Sequence, residues 1–128
     1  MLVDTNAVLW MYEDSERLGP TARDLITSAP AVYLSSVSIA EIAIKHQLGR
    51  LDLPGGDDFP ASLRAMGLRD LPLTAQHARD LHRLPELTRH DPFDRLLLAQ
   101  AMADQIPLVT GDSKLLALGR DWIIDAGR

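Results

Sequence analysis

Apolar residues along the chain fall into two rhythms. Short runs, "MLV" (1–3), "AVYLS" (31–35), "LRDLPL" (68–73), "IPLVT" (106–110) and "WII" (122–124), read as strands. Longer stretches with apolar positions three and four apart read as helices: "TARDLITSA" (21–29), "VSIAEIAIKHQLG" (37–49), "FPASLRAMG" (59–67), "TAQHARDLHRL" (74–84) and "FDRLLLAQAMADQ" (93–105). Strand runs alternating with helical ones predict an α/β fold, a mostly parallel sheet covered by helices on both faces. The punctuation agrees. Gly49 and Gly67 follow helical runs as C-cap candidates, Thr74 precedes one as an N-cap, and "LDLPGGDDFP" (51–60) reads as a loop whose Asp57 and Asp58 start a solvated helix.

Composition narrows the picture. The 128 residues are 46% hydrophobic, enough for one domain with its own core and too few for two ordinary ones. The 18 acids outnumber the 13 Lys and Arg, so bulk charge does not hold nucleic acid, although bound cations would let an acidic site act on phosphates. The absence of cysteine excludes disulfides, zinc-thiolate sites and thiol nucleophiles, and fits a reducing, cytoplasmic setting. A strand beginning at Met1 leaves no place for a signal peptide, and no apolar run approaches the roughly 20 residues that span a bilayer. The expectation is a cytoplasmic protein with no membrane association.

Candidate chemistry lies in the placement of the carboxylates. In an open parallel sheet, ligands sit beyond the carboxyl ends of the strands. Asp4 ends "MLV" and Asp112 follows "PLVTG", so both point to that crevice, and each can equally be the N-cap of the helical run that follows it. Asp91 and Pro92 open the helix that carries Asp94, where a second acid also suits the positive end of the dipole. Glu41 shares its stripe with Val37, Ile44 and Leu48, which predicts a carboxylate on an apolar face; its competing surface partner is Lys45, one turn later. If the fold gathers these acids, their repulsion calls for a divalent ion, and oxygen ligands suit Mg²⁺ or Mn²⁺ rather than zinc. The histidines take no part in this reading: His77 and His82 are assigned to the surface, His46 and His90 to the rim or solvent. No P-loop, Gly-x-Ser-x-Gly or HExxH pattern occurs.

Four stretches in order, "LVDTNAVLW", "VSIAEIAIKHQLGRL", "RHDPFDRLLLAQA" and "LVTGD", resemble PIN-domain proteins, specifically VapC-type toxins of toxin-antitoxin pairs. The resemblance runs nearly end to end and implies one PIN-like domain over 1–128, a three-layer α/β/α sandwich around a parallel sheet of about five strands. It also implies a metal-dependent ribonuclease site on Asp4, Glu41, Asp94 and Asp112, holding Mg²⁺ or Mn²⁺, with Asp91 as a companion acid and Thr110 and Asn6 as orienting polar residues. Many relatives carry histidine where Asn6 stands, and no fifth acid follows Asp112, where Ser113 and Lys114 stand. RNA as substrate, a cognate antitoxin and a homodimer complete what it implies. Lys45, Arg89, Arg95 and Lys114 are the basic residues expected near the site, Arg95 foremost, and "LWMY" (9–12) is a candidate protein-contact surface.

Three rivals remain. A receiver-like Mg²⁺ domain needs paired acids at the first strand, and an aspartyl phosphatase needs Asp-x-Asp, where this chain has Asp4-Thr5-Asn6. The third is a catalytically silent PIN-like scaffold kept for protein interaction.

Overall fold

The computed structural model describes residues 1–128. Its strands are β1 (Leu2–Val3), β2 (Tyr33–Ser35), β3 (Arg69–Leu71), β4 (Leu108–Thr110) and β5 (Ile123–Asp125). The helices are α1 (Thr5–Tyr12), α2 (Pro20–Ser28), α3 (Ser36–Gln47), α4 (Ala61–Arg64), α5 (Ala75–Arg79), α6 (Pro92–Asp104) and α7 (Ser113–Leu116), with 3-10 turns at Gly56–Asp58, Asp80–Arg83 and Pro85–Leu87. All pairings are parallel, in the order β3-β2-β1-β4-β5.

Alternation along the strands builds the core. Val3 and Val109 join α1, α2 and Leu63 in one apolar cluster, while their neighbours Leu2 and Leu108 join Leu97, Leu98, Ala99 and Ala101 of α6 in another. Adjacent strand residues point to opposite faces, so the two clusters are the two sides of one sheet, giving the three-layer α/β/α sandwich. Full burial of a leucine or valine contributes about 1.5–3 kcal/mol, and both central strands carry such residues on both faces.

The expected strand runs all form strands, four of them shortened and "WII" shifted by one residue to Ile123–Asp125. Two helical runs are shorter than their periodicity predicts. "FPASLRAMG" yields only the single turn α4 before Gly67, at φ +92°, reverses the chain. "TAQHARDLHRL" is helical to Arg79 and then tightens to 3-10, because Pro85 excludes Leu84 from helical geometry and the run ends against it. Asp57 and Asp58 are exposed at the start of a 3-10 turn, as the loop reading expects.

One tight approach closes the sheet's far end. Gly19 opens α2 where a Cβ would overlap the Arg128 backbone, and Thr21 N–H donates to Arg128 O at 2.7 Å. Gly19→Ala is therefore expected to cost about 1–3 kcal/mol of stability by overpacking, measured by urea denaturation with an unchanged m value.

Candidate functional site

The strand order reverses between β1 and β4: the chain steps outward one way from β1 to β3 and the other way from β4 to β5. Such a switch point opens a crevice beyond the strand ends. Asp4 leaves β1 and Asp112 leaves β4 on its two sides, so the topology itself brings these acids together.

Each is also a helix cap. Asp4 Oδ1 accepts from Ala7 N–H at 2.8 Å at the start of α1, and Asp112 Oδ1 accepts from Lys114 and Leu115 N–H at 2.9 Å at the start of α7. Capping uses one oxygen of each carboxylate and fixes the direction of the other. Thr110 ties the two acids to one another: its hydroxyl donates to Asp4 Oδ2 and accepts from Asp112 N–H at 3.0 Å. Trp10 covers this turn, its ring lying where a Cβ on Gly111 would stand.

Asp94 comes from the first turn of α6. Asp91 caps that helix, its Oδ1 accepting from Phe93 N–H at 2.8 Å and Asp94 N–H at 3.2 Å, and Pro92 occupies the first helical position. Asp91 is exposed while Asp94 faces inward. Burial and the charges of Asp91, Asp112, Asp4 and Glu41 push the Asp94 carboxyl up to about 7. Burial likewise raises Asp4 to about 6, with hydrogen bonds from Thr110 and the backbone opposing the rise and the Glu41 charge adding to it. Burial is the larger cause in both; the smaller contributions from neighbouring charges show that these carboxylates lie close enough to feel one another.

Glu41 is buried on α3, but the stripe that predicts it does not hold: Ile44 and Leu48 are 42% and 59% exposed. Burial comes from the turn that also carries Val37, Ser38 and Ile42, all buried; the Ser38 hydroxyl accepts from Thr5 Oγ1 at 2.9 Å and so locks α3 to α1. Lys45 meets Glu41 Oε2 at 2.6 Å, so the surface pairing and the buried position coexist: a half-exposed ammonium reaches over a buried acid. Oε1 is buried with no partner.

Two histidine expectations are overturned. His77 is buried, completing a capping box with Thr74 and meeting Asp104 at 3.0 Å, a placement signalled by its position three residues after an N-cap threonine. His90 is not a solvated rim residue either. Its side chain is 8% exposed and its Nε2 stands 3.3 Å from Asp94 Oδ2 and 3.6 Å from Asp112 Oδ2. The three ligand atoms lie within 4.8 Å of one another, an arrangement able to hold a metal ion. His46 and His82 are exposed as expected.

Among the other candidates, Asn6, Arg89 and Lys114 are exposed, whereas Arg95 is partly buried with its Nε unpartnered. In "LWMY" only Tyr12 is exposed; Leu9, Trp10 and Met11 pack against the core. The sequence reading missed a buried pair beneath the site. Ser35 caps α3 and donates to Gln100 Oε1 of α6, whose amide donates to Leu71 O. Its one signal is a lone amide inside the apolar run "LLLAQA".

The PIN domain family matches residues 1–121. The chain belongs to the PIN domain family. Two solved structures are similar to this PIN chain, each with a TM-score of 0.66 and 16% sequence identity: a toxin-antitoxin complex from Klebsiella pneumoniae, matched over 98% of this chain and 96% of that one, and VapBC2 from Rickettsia felis bound to a DNA fragment from its promoter, over 96% and 94%. Among curated proteins, none matches the chain. No helix is long and apolar enough to cross a membrane.

Thr110→Val tests the tie between the acids. It removes the donor to Asp4 and strands the Asp112 N–H, and is expected to lower the site's affinity for divalent ions about 10–100-fold, read by calorimetry, with a stability loss of about 1–3 kcal/mol.

Proposed function

We infer that this chain is a metal-dependent endoribonuclease and the toxin of a toxin-antitoxin pair, its single PIN domain spanning residues 1–128. The observation that carries the reading is the convergence of Asp4, Glu41, Asp94 and Asp112 at the switch point of the sheet, with the Glu41 Oε1 atom buried and unpartnered. Crowded carboxylates and an orphaned buried oxygen fit a divalent cation, and a donor set without thiolate suits Mg²⁺ or Mn²⁺. Asp4, Asp94 and Asp112 would hold it. When bound, such an ion lowers the pKa of water and offsets charge on a phosphate.

The chain's own residues do the rest. Glu41 Oε1 takes the proton of a water attacking phosphorus, while Lys45 keeps the other Glu41 oxygen engaged. Thr110 and the caps at Ala7, Lys114 and Leu115 hold Asp4 and Asp112 in one orientation without reorganisation. Arg95 and the exposed Arg89 and Lys114 attract the RNA backbone to an otherwise acidic protein, and the exposed Asn6 stands beside Asp4 to contact it. Attack of water on phosphorus breaks the bond to the 3′ oxygen and leaves 5′-phosphate and 3′-hydroxyl ends.

The toxin assignment is carried over from the resemblance of the motifs to VapC-type toxins and from a solved neighbour that is a toxin-antitoxin complex. An antitoxin and a second copy of the chain are the proposed protein partners, and the bacterial cytoplasm the proposed setting. Induced expression in a bacterium tests it. Growth arrest with new RNA ends, absent for Asp4→Asn accumulated to the same level, is the expected result; normal growth with folded wild-type protein present would overturn it.

A further inference from the structure

His90 is the feature of the site that an all-carboxylate centre does not use. Its backbone is anchored, N–H donating to the carbonyl of the buried Leu87 at 2.9 Å, and the next residue is the N-cap of α6. The ring is therefore delivered into the crevice by rigid chain on both sides. Inside, Nε2 has no hydrogen-bond partner, although two carboxylate oxygens face it at 3.3 and 3.6 Å.

Those separations are informative. An imidazole held by ionic hydrogen bonds closes to about 2.7–2.9 Å. Ligand atoms that share one octahedral ion at about 2.1 Å stand about 3 Å apart when adjacent, and farther at lower coordination number. Nε2 stands from Asp94 Oδ2 and Asp112 Oδ2 at separations longer than an ionic hydrogen bond and close to those of donors sharing one ion, and all three atoms lie within 4.8 Å of one another.

We propose that His90 Nε2 is a direct ligand of the ion held by Asp94 and Asp112, so that this centre is a mixed nitrogen and oxygen site preferring Mn²⁺ to Mg²⁺. The proposal deepens the nuclease reading and rests on it. Its physical basis is ligand softness. Mg²⁺ takes oxygen and water and gives them up reluctantly, whereas first-row transition ions accept imidazole. A histidine four residues before Asp94 on the chain therefore biases a site whose other donors do not discriminate between the two ions.

The test uses the full chain, freed of metal, with Mn²⁺ or Mg²⁺ as the only additions. Calorimetry is expected to give Mn²⁺ binding about tenfold or more tighter than Mg²⁺. Pulsed electron paramagnetic resonance of the Mn²⁺-loaded protein is expected to reveal a directly coordinated ¹⁴N nucleus. In His90→Gln the nitrogen signal disappears and the preference for Mn²⁺ collapses while Mg²⁺ affinity stays within about threefold, since an amide oxygen replaces the ring nitrogen. Mn²⁺ bound without a coordinated nitrogen in the wild type overturns the proposal and leaves the nuclease reading intact, and that spectrum decides the matter even if the variant fails to fold. Binding of neither ion by folded protein overturns both.

Discussion

Asp94→Asn is expected to lower RNA cleavage by at least about 10³-fold while raising the thermal midpoint of the metal-free protein at pH 8. The two effects have one cause. Asp94 is the carboxylate most opposed by its surroundings, with burial and the charges of Asp91, Asp112, Asp4 and Glu41 all disfavouring its ionised form. A divalent ion would relieve that crowding, so on the proposed reading the anion that costs the metal-free fold stability would contribute most to holding the ion. An amide keeps the shape and removes the charge. The midpoint rises by about 4 °C for each kcal/mol of repulsion relieved. Cleavage assays and differential scanning calorimetry of the same preparations read both, and a variant that cleaves normally would remove Asp94 from the site.

Metal-free protein is expected to lose stability as pH rises from 5 to 8. Asp4 and Asp94 titrate at about 6 and about 7 in the folded chain, against 3.8 as the ordinary value. Across this window the folded state binds protons that the unfolded state has already released, so stability falls with increasing pH and levels off above the folded values. Asp4 alone, raised to about 6, supplies roughly 1–2 kcal/mol of that loss between pH 5 and pH 8. Divalent cations replace the protons and are expected to restore the loss at pH 8, and Asp94→Asn to flatten the profile. Thermal unfolding at pH 5 and pH 8, with chelator and with Mn²⁺, measures it. A profile that rises with pH in chelator would contradict the placement of these acids in one crevice.

What the chain discloses before folding follows physical locality. Strand runs and their order are visible because both faces of a parallel sheet are buried, so "MLV" and "PLVT" are continuous apolar runs. Acids directly after such runs are placed by topology alone, which is why Asp4 and Asp112 could be placed at the crevice from sequence. Helix lengths are less legible: the run from Thr74 to Leu84 has helical spacing, and its break depends on Pro85 and on what Asp80 and His77 meet in space. Glu41 is where the periodicity reading put it, yet for another reason, since Ile44 and Leu48 of the supposed apolar stripe face solvent. His90 was hidden because a histidine beside an N-cap aspartate is ordinarily at the surface; its direction depends on the anchored turn before α6 and on Asp112, which lies 18 residues away from Asp94 in the chain. The signal that did exist is the four-residue spacing from His90 to Asp94.

The most direct test of the central claim is the end chemistry of RNA cut by the purified, antitoxin-free chain with Mn²⁺, beside a chelator control. New ends bearing 5′-phosphate and 3′-hydroxyl, abolished by chelation, are the result this account predicts. Cleavage that survives the chelator and leaves 2′,3′-cyclic phosphate would contradict it, because such ends come from attack by the RNA's own 2′-hydroxyl and need none of the four carboxylates gathered at the switch point.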